Sequence, residues 1–174
     1  KLLIGFDPKL FTKKTISIYF SKNNCKFKSI ERNLVDDIWK RRFKKNKHKF
    51  YCLPGSSAEN YKSKINKVVS NLNKIGADFQ FITACENNAW LLNIRGNDAT
   101  YAPIPNSYIL VNRNKKIIFF CDLNKISLVI KKRLSKITFI KIESLNKILS
   151  TIINKKFIID KNTCFIFFEN KILK

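Results

Sequence analysis

Residues 83–98 read TACENNAWLLNIRGND, and this stretch decides the fold that the sequence predicts. It follows a short apolar run, Phe79 to Ile82, that is typical of a buried strand. Thr83 is predicted to cap a short helix whose first turn carries Glu86, the charge that a helix N-terminus favours. Gly96 is predicted to supply the backbone freedom for a sharp exit. The stretch therefore reads as strand, helix and tight turn.

A large indole stands among polar side chains in this stretch. Trp90 and Leu91 are interpreted as core residues, whereas Asn93, Arg95 and Asp98 are polar groups that would be costly to bury without partners. These three must pair with each other, with water or with something that docks there. One interpretation of Arg95 is an ion pair with Asp98, three residues further along.

The stretch, together with YAPIPNSYILV at residues 101–111, resembles the signature of the non-catalytic middle domain of Xaa-Pro aminopeptidases (aminopeptidase P). The matching positions are Thr83, Ala84, Ala89, Trp90, Leu91, Asn93, Arg95, Gly96, Asp98, Pro103, Ser107 and Tyr108. Two further segments, IGFDP at residues 4–8 and NLVDDIW at residues 33–39, resemble landmarks of the first domain in that family. The resemblance covers nearly the whole chain, in the right order.

The resemblance implies an α/β fold. A three-layer, creatinase N-terminal-like (ribonuclease-H-like) mixed sheet flanked by helices is preceded by an incomplete β-α-β piece of a similar domain. Residues 1–43 would be the C-terminal part of the first domain, 44–55 a basic linker and 56–174 the second, middle domain.

Hydrophobic patterning agrees with a second domain of about five strands alternating with helices. Besides the strand before Thr83, strands are predicted at residues 107–111, 116–120, 137–140 and 157–159. A single helix is predicted from Asp122 to Leu134, and a last one from Asn162 or Thr163 to Leu173.

The family's activity is release of the N-terminal residue that precedes proline. Its C-terminal metallopeptidase domain holds two divalent metal ions, typically manganese, on Asp, Asp, His, Glu and Glu ligands. This chain ends at Lys174 before such a domain begins, so we expect no catalytic residue, metal or cofactor site in it, and no activity from it alone.

In the family, the N-terminal domains cap the catalytic cleft, restrict substrates and contribute to domain or dimer packing. The resemblance therefore implies a catalytic domain, in cis or in trans, and a second copy of the chain as partners. The candidates for the cleft or the domain interface are Asn93, Arg95 and Asp98. The structural motif would consist of Trp90, Gly96, Pro103, Ser107 and Tyr108.

The residues themselves exclude several other site classes. His48 is the only histidine, so there is no HExxH motif, and the sequence offers no Ser-His-Asp set worth proposing. Four isolated glycines exclude a phosphate-binding loop or a dinucleotide fingerprint. The twelve acidic residues are scattered, so no carboxylate pair is indicated.

A net charge of +23 has two interpretations. Lysine and asparagine are spread through every segment, which favours an evenly basic surface without a dedicated partner. The alternative is a module that binds nucleic acid or anionic lipid through Lys40 to Lys49, KRRFKKNKHK, where seven of ten residues are Lys or Arg. As a charge block, the same run also suits a solvated linker.

Cysteine usage and hydropathy point to a cytoplasmic setting. The five cysteines lie far apart and form no Cys-x-x-Cys pair, which predicts reduced structural thiols. The sequence contains no run of about 18 apolar residues, so no transmembrane helix is predicted. The incomplete first domain would leave a sheet edge and apolar surface exposed, which predicts self-association.

Overall fold

The computed structural model describes residues 2–20, 24–39, 46–53 and 59–173. The strands are β1 (Leu2–Phe6), β2 (Cys25–Ser29), β3 (Tyr51–Cys52), β4 (Phe79–Ile82), β5 (Ile94–Arg95), β6 (Tyr108–Asn112), β7 (Ile117–Cys121), β8 (Ile137–Lys141) and β9 (Phe157–Ile159). The helices are α1 (Lys13–Phe20), α2 (Leu34–Ile38), α3 (Tyr61–Lys74), α4 (Cys85–Leu92), α5 (Leu128–Arg133), α6 (Leu145–Thr151) and α7 (Ile166–Ile172). Contacts divide the chain into two compact units, one of residues 1–45 and 160–174 and one of residues 46–159.

The first unit is built on a parallel pair of strands. β1 and β2 pair in the register Leu2 with Cys25 through Phe6 with Ser29, and α1 provides the crossover between them. The β-α-β arrangement expected at this end of the chain is therefore confirmed. Phenylalanine rings fill the space beside α1, with Phe20 and Phe27 centred 5.1 Å apart.

The last helix is part of this first unit. The backbone N–H of Ile166 donates to the carbonyl of Phe11 at 2.9 Å, and that of Phe167 donates to Pro8 at 2.9 Å. The sequence places this helix in a domain spanning 56–174, whereas the contacts group residues 160–174 with 1–45. It also begins later than predicted, because Asp160 accepts from the backbone N–H of Asn162 at 2.8 Å and forms a turn there.

The second unit contains a five-stranded mixed sheet in the order β8-β7-β6-β4-β9. The β4–β6 and β6–β7 pairs are antiparallel, whereas β7–β8 and β4–β9 are parallel. The mixed sheet flanked by helices that the sequence predicts is confirmed. Its core includes the fully buried side chains of Leu72, Leu92, Val111, Phe119 and Leu134.

One predicted helix is broken into two pieces. Residues 122–134 form a 3₁₀ turn, Leu123–Lys125, followed by α5. The cause is local, because Asp122 accepts from the backbone N–H of Asn124 at 3.0 Å and closes the turn. Ser127 then accepts from the N–H of Ile130 at 3.3 Å, which starts a new helix.

A buried lysine joins α3 to the end of α4. The side chain of Lys64 is only 2% exposed. Its Nζ donates to the carbonyl of Trp90 at 2.6 Å and to Asn93 Oδ1 at 2.7 Å, and it lies 4.2 Å from the centroid of the Trp90 ring. Burial lowers the pKa of Lys64; the charge of Glu59 raises it and that of Arg95 lowers it further.

The described cysteines are free thiols, as the sequence predicts. Cys121 and Cys164 are fully buried, and burial raises the pKa of each to about 12. None of the described helices has the length and apolar character needed to cross a membrane.

Gly96 lies where two other segments come very close to the backbone. A Cβ built on it would lie 2.9 Å from Phe50 Cδ1 and 2.9 Å from the Cα of Pro105. Gly76 is the glycine with a positive φ, of 66°. Close approach of other segments, and not the backbone freedom that the sequence suggests, is therefore the reason for glycine at position 96.

We expect Lys64→Met to lower the free energy of unfolding by about 2 to 4 kcal/mol, because Asn93 Oδ1 loses its donor in a buried place and the Trp90 carbonyl keeps only a long bond, of 3.4 Å, from the N–H of Asn93. Urea unfolding followed by circular dichroism measures this. The matched control is Lys67→Met on the same helix, whose side chain is 69% exposed and pairs with Glu59 on the surface, and which should change stability much less. Equal effects of the two substitutions would contradict the structural role of Lys64.

The pH dependence of stability has a defined sign at Lys64. The folded pKa is lowered from the ordinary 10.5, so between the two values the unfolded chain binds more protons than the folded one. The contribution of Lys64 to stability should therefore rise as pH rises through that interval. Comparing the slope of the unfolding free energy against pH for the wild-type chain and for Lys64→Met isolates this group.

We expect Gly96→Ala to destabilise the second unit by about 1 to 3 kcal/mol, because neither the Phe50 ring nor the Pro105 backbone can move away freely. Asn97→Ala, at the exposed neighbouring position, serves as the control and should have little effect. Thermal unfolding of both variants makes the comparison. If Gly96→Ala left the thermal unfolding temperature unchanged, the close approach of Phe50 and Pro105 to position 96 would be contradicted.

Candidate functional site

The start of α4 differs from the prediction. Ala84 occupies the N-cap position with an extended backbone, and no side chain caps the helix there. Thr83 lies one residue earlier, at the end of β4, and is 7% exposed. The predicted capping role of Thr83 is therefore wrong, whereas Glu86 does lie in the first turn.

Asn93 ends α4 in the left-handed conformation, with φ 53° and ψ 39°. Its side chain is buried and used twice, since Oδ1 accepts from Lys64 and Nδ2 donates to the carbonyl of Glu59 at 2.9 Å. Asparagine tolerates this conformation better than most residues do. The chain thus reverses at Asn93, three residues before Gly96.

Trp90 lies on the surface. It is 56% exposed, whereas Leu91 is 2% exposed, so the predicted burial is confirmed for Leu91 and wrong for Trp90. The buried side of α4 consists of Asn88, Ala89, Leu91 and Leu92. The indole contacts the ammonium of Lys64 with one part of its surface. The rest of the ring is accessible to solvent.

Arg95 is half-buried and binds the end of α4. Nη1 donates to the carbonyl of Ala89 at 3.2 Å and to that of Ile94 at 2.9 Å. Both hydrogen bonds are made by Nη1. The other two guanidinium nitrogens make no hydrogen bond to the described residues. The proposed ion pair between Arg95 and Asp98 is wrong, because Asp98 has another partner.

Asp98 forms a mostly buried ion pair with Lys125, whose side chain is 7% exposed. Its other oxygen, Oδ2, accepts from the backbone N–H of Asn106 at 2.8 Å. Lys125 Nζ lies 5.9 Å from the centroid of the Phe50 ring, and the Lys125 carbonyl accepts from the Phe50 N–H at 2.9 Å. Asp98 therefore closes the loop after β5 onto Asn106 and binds it to the segment of Lys125.

The remaining motif residues pack the same loop. The Pro103 carbonyl accepts from the N–H of Gly96 at 3.2 Å. Ser107 is fully buried, and its carbonyl accepts from Asn88 Nδ2 at 2.8 Å. The Tyr108 ring stacks on Phe81 with centroids 6.0 Å apart.

The structure brings Trp90, Asn93 and Arg95 together at the end of α4, whereas Asp98 binds Lys125 and Asn106. Sequence analysis did not identify Lys64 or Lys125, the two buried ammonium groups that bind this stretch. A family pattern that ends in a lysine fits Lys62 or Lys64 only approximately, and no pattern distinguishes Lys125 among the 35 Lys and Arg residues. An exposed indole beside a guanidinium with unused donors can bind a partner surface by stacking and by hydrogen bonds.

The structure also bears on metal binding and, for part of its length, on the basic stretch. In the described ranges, no three His, Cys, Asp or Glu side chains lie together as a metal site would require. Of the basic stretch at residues 40–49 only 46–49 are described, and of the predicted linker at 44–55 only 46–53. Lys49 Nζ donates to the carbonyl of Asn124 at 2.6 Å, so this lysine makes a contact within the second unit.

Two curated relatives carry Xaa-Pro aminopeptidase names. FRA1 of Saccharomyces cerevisiae is 31% identical over 144 residues, which are 68% of this chain and 18% of that protein. ApepP of Drosophila melanogaster is 30% identical over 128 residues, 71% of this chain and 21% of that protein. The chain thus spans about a fifth of the length of these relatives.

A solved structure is also similar. The X-prolyl aminopeptidase from Caenorhabditis elegans, described as a cytosolic enzyme with a di-nuclear active site, superposes with a TM-score of 0.77 and 26% sequence identity. The match covers 86% of this chain and 25% of that enzyme. The family model of the Creatinase/Prolidase N-terminal domain matches residues 40–173. This chain belongs to the Creatinase/Prolidase N-terminal domain family.

Proposed function

We propose that this chain is the non-catalytic N-terminal and middle region of an Xaa-Pro aminopeptidase. The observation that carries the proposal is the match to the Caenorhabditis elegans enzyme, which takes in 86% of this chain but only a quarter of that enzyme. The reaction would be release of the residue before proline. It would take place on a separate metallopeptidase domain, with two divalent metal ions, typically manganese, bound there and none bound by this chain.

The role of the chain would be to cap the catalytic cleft, to restrict the peptides that enter it and to pack against the catalytic domain or a second copy. The end of α4 supports this role, because Trp90 presents an exposed indole and Arg95 retains donors on its guanidinium. Tryptophan and arginine are the residues that most often dominate a binding interface. Asn93 and Asp98 would support this surface through their buried contacts with Lys64 and Lys125.

A cytoplasmic location fits the same proposal. The similar Caenorhabditis elegans enzyme is described as cytosolic. The five free cysteines suit a reducing compartment, in which thiols stay unpaired.

The alternative function, binding of nucleic acid or anionic lipid through Lys40 to Lys49, stays a prediction. Filter binding of the whole chain to DNA at two salt concentrations tests it. Binding that survives moderate salt and disappears when this run is neutralised would favour the alternative over a cleft-capping role.

The first prediction of the proposal concerns activity. The purified chain, incubated with Mn²⁺ and an Xaa-Pro peptide, should release no N-terminal residue. A chimera in which the chain replaces the matched quarter of the Caenorhabditis elegans enzyme should release it, because the catalytic domain is then present. Chromatography of the products measures both reactions. Metal-dependent release by the chain alone at a rate comparable to the chimera would refute the proposal.

The second prediction concerns Arg95. In the chimera, Arg95→Ala should lower kcat/KM by about tenfold or more, equivalent to about 1.4 kcal/mol of lost transition-state binding, while the chimera stays folded. Arg113→Ala is the matched control, since Arg113 is half-exposed and pairs with Asp78 at the surface. A large loss of stability with Arg95→Ala, without a specific loss of activity, would make this arginine purely structural.

A further inference from the structure

A cleft lies at the edge of the large sheet where two parallel strands end. β7 and β8 pair in register up to Cys121 and Lys141, so the chain leaves both strands at the same edge. A 3₁₀ turn follows each strand, Leu123–Lys125 after β7 and Ile142–Ser144 after β8. The two turns border a cavity of about 480 Å³, lined by Cys121, Asp122, Leu123, Asn124, Lys141 and Glu143. Cavities of roughly 300 to 1,000 Å³ are the size that binds small molecules.

The charged side chains of this cleft are not paired within the described part of the chain. Asp122, Lys141 and Glu143 take part in none of its ion pairs. Oδ1 of Asp122 accepts from the backbone N–H of Asn124 at 3.0 Å, whereas Oδ2 accepts no hydrogen bond from the described residues. Two carboxylates and one ammonium group therefore border the same cavity without neutralising one another in an ion pair.

The neighbouring groups leave the cleft without net charge. Lys125 is already paired with Asp98. Lys49 Nζ binds the carbonyl of Asn124 and so places a second ammonium group beside the cavity. Burial raises the pKa of the Cys121 thiol to about 12, and the charge of Asp122 acts in the same direction, so Cys121 is neutral near pH 7. Among the described residues that line or touch the cleft, two unpaired carboxylates thus stand against two ammonium groups.

We propose that this cleft binds a small zwitterion, a molecule with both an ammonium and a carboxylate group, as in a free amino acid or a short peptide. The ammonium of the ligand binds the carboxylates of Asp122 and Glu143, and its carboxylate binds the ammonium of Lys141. Sheets of α/β proteins commonly bind ligands outside the carboxyl ends of their strands, which is the position of this cleft. The proposal does not rest on a catalytic domain, because every residue in it belongs to the second unit.

Charge favours a zwitterion over an ion of one sign. A cation is repelled by a chain of net charge +23, and an anion is attracted to lysines over the whole surface but meets two carboxylates in the cleft. A molecule without net charge is held only where its two groups match, which makes its binding local. Because Asn124, Lys141 and Glu143 are exposed, water screens their charges, and we expect a dissociation constant on the order of 1 mM.

Three probes built on one peptide separate the two charges of the ligand. They are L-alanyl-L-alanine, its N-acetyl form, which lacks the ammonium, and its C-terminal amide, which lacks the carboxylate. NMR titration of the isotope-labelled whole chain measures each affinity and locates the site. L-alanyl-L-alanine should shift the amide signals of Asp122, Leu123 and Glu143 to saturation, and each blocked form should bind about threefold or more weakly. Equal affinity of the three probes, or shifts spread over the surface without saturation, would overturn the proposal.

Two substitutions assign the two ends of the ligand. Glu143→Gln should weaken binding of L-alanyl-L-alanine and of its amide by about threefold and leave the N-acetyl form unchanged. Lys141→Gln should weaken L-alanyl-L-alanine and the N-acetyl form and leave the amide unchanged. Glu86→Gln and Lys136→Gln are the matched controls, since they remove the same charges at exposed positions that do not line the cleft.

Folding is a small risk in this comparison, because the side chains of all four substituted positions are exposed. Circular dichroism checks that each variant is folded. Lys136 also precedes β8, at the opposite end of the strand from Lys141, so it tests whether the position of the lysine matters and not its charge alone. If the two cleft variants changed the affinities no more than the two controls do, the assignment of the cleft would be wrong.

Discussion

The geometry of the central stretch depends on one buried ammonium group. Asn93 ends α4 in a left-handed conformation, and its N–H makes only a long bond, of 3.4 Å, to the Trp90 carbonyl. Lys64 adds a stronger donor from α3, with hydrogen bonds to the Trp90 carbonyl and Asn93 Oδ1. A positive charge is favourable at this end of a helix. The position of α4 relative to α3, and with it the start of β5, therefore follows from this contact.

The polar residues of the motif are used mainly inside the fold. Asn93 bridges Lys64 and the Glu59 carbonyl, Asp98 binds Lys125, and Ser107 accepts from Asn88. These contacts satisfy groups that would otherwise be buried without partners, which is the condition for keeping them in a core. Of the motif residues, the Trp90 indole and the remaining donors of Arg95 are then what the stretch offers to a partner.

The sequence predicted the sheet well and the polar contacts poorly. Strands β6, β7 and β9 were predicted within a residue of their bounds, because each is a short apolar run between turn residues. The helix expected over residues 122–134 failed because Asp122 and Ser127 bind their own backbone, a local competition that periodicity does not show. Burial of Trp90 failed for a related reason, since an apolar residue in a helix of eight residues need not lie on its buried face.

Many of the few carboxylates of this strongly basic chain form ion pairs. The described ion pairs already engage five of the twelve acidic residues, with Glu59, Asp78, Asp98, Glu169 and Asp37 as the acidic partners. The charges of these five carboxylates are neutralised by neighbouring cations, and in the described ranges basic residues greatly outnumber the acidic ones that remain. Such a surface attracts any polyanion weakly and repels its own copies. A contact at the exposed Trp90 ring would bury apolar surface without removing water from an exposed lysine.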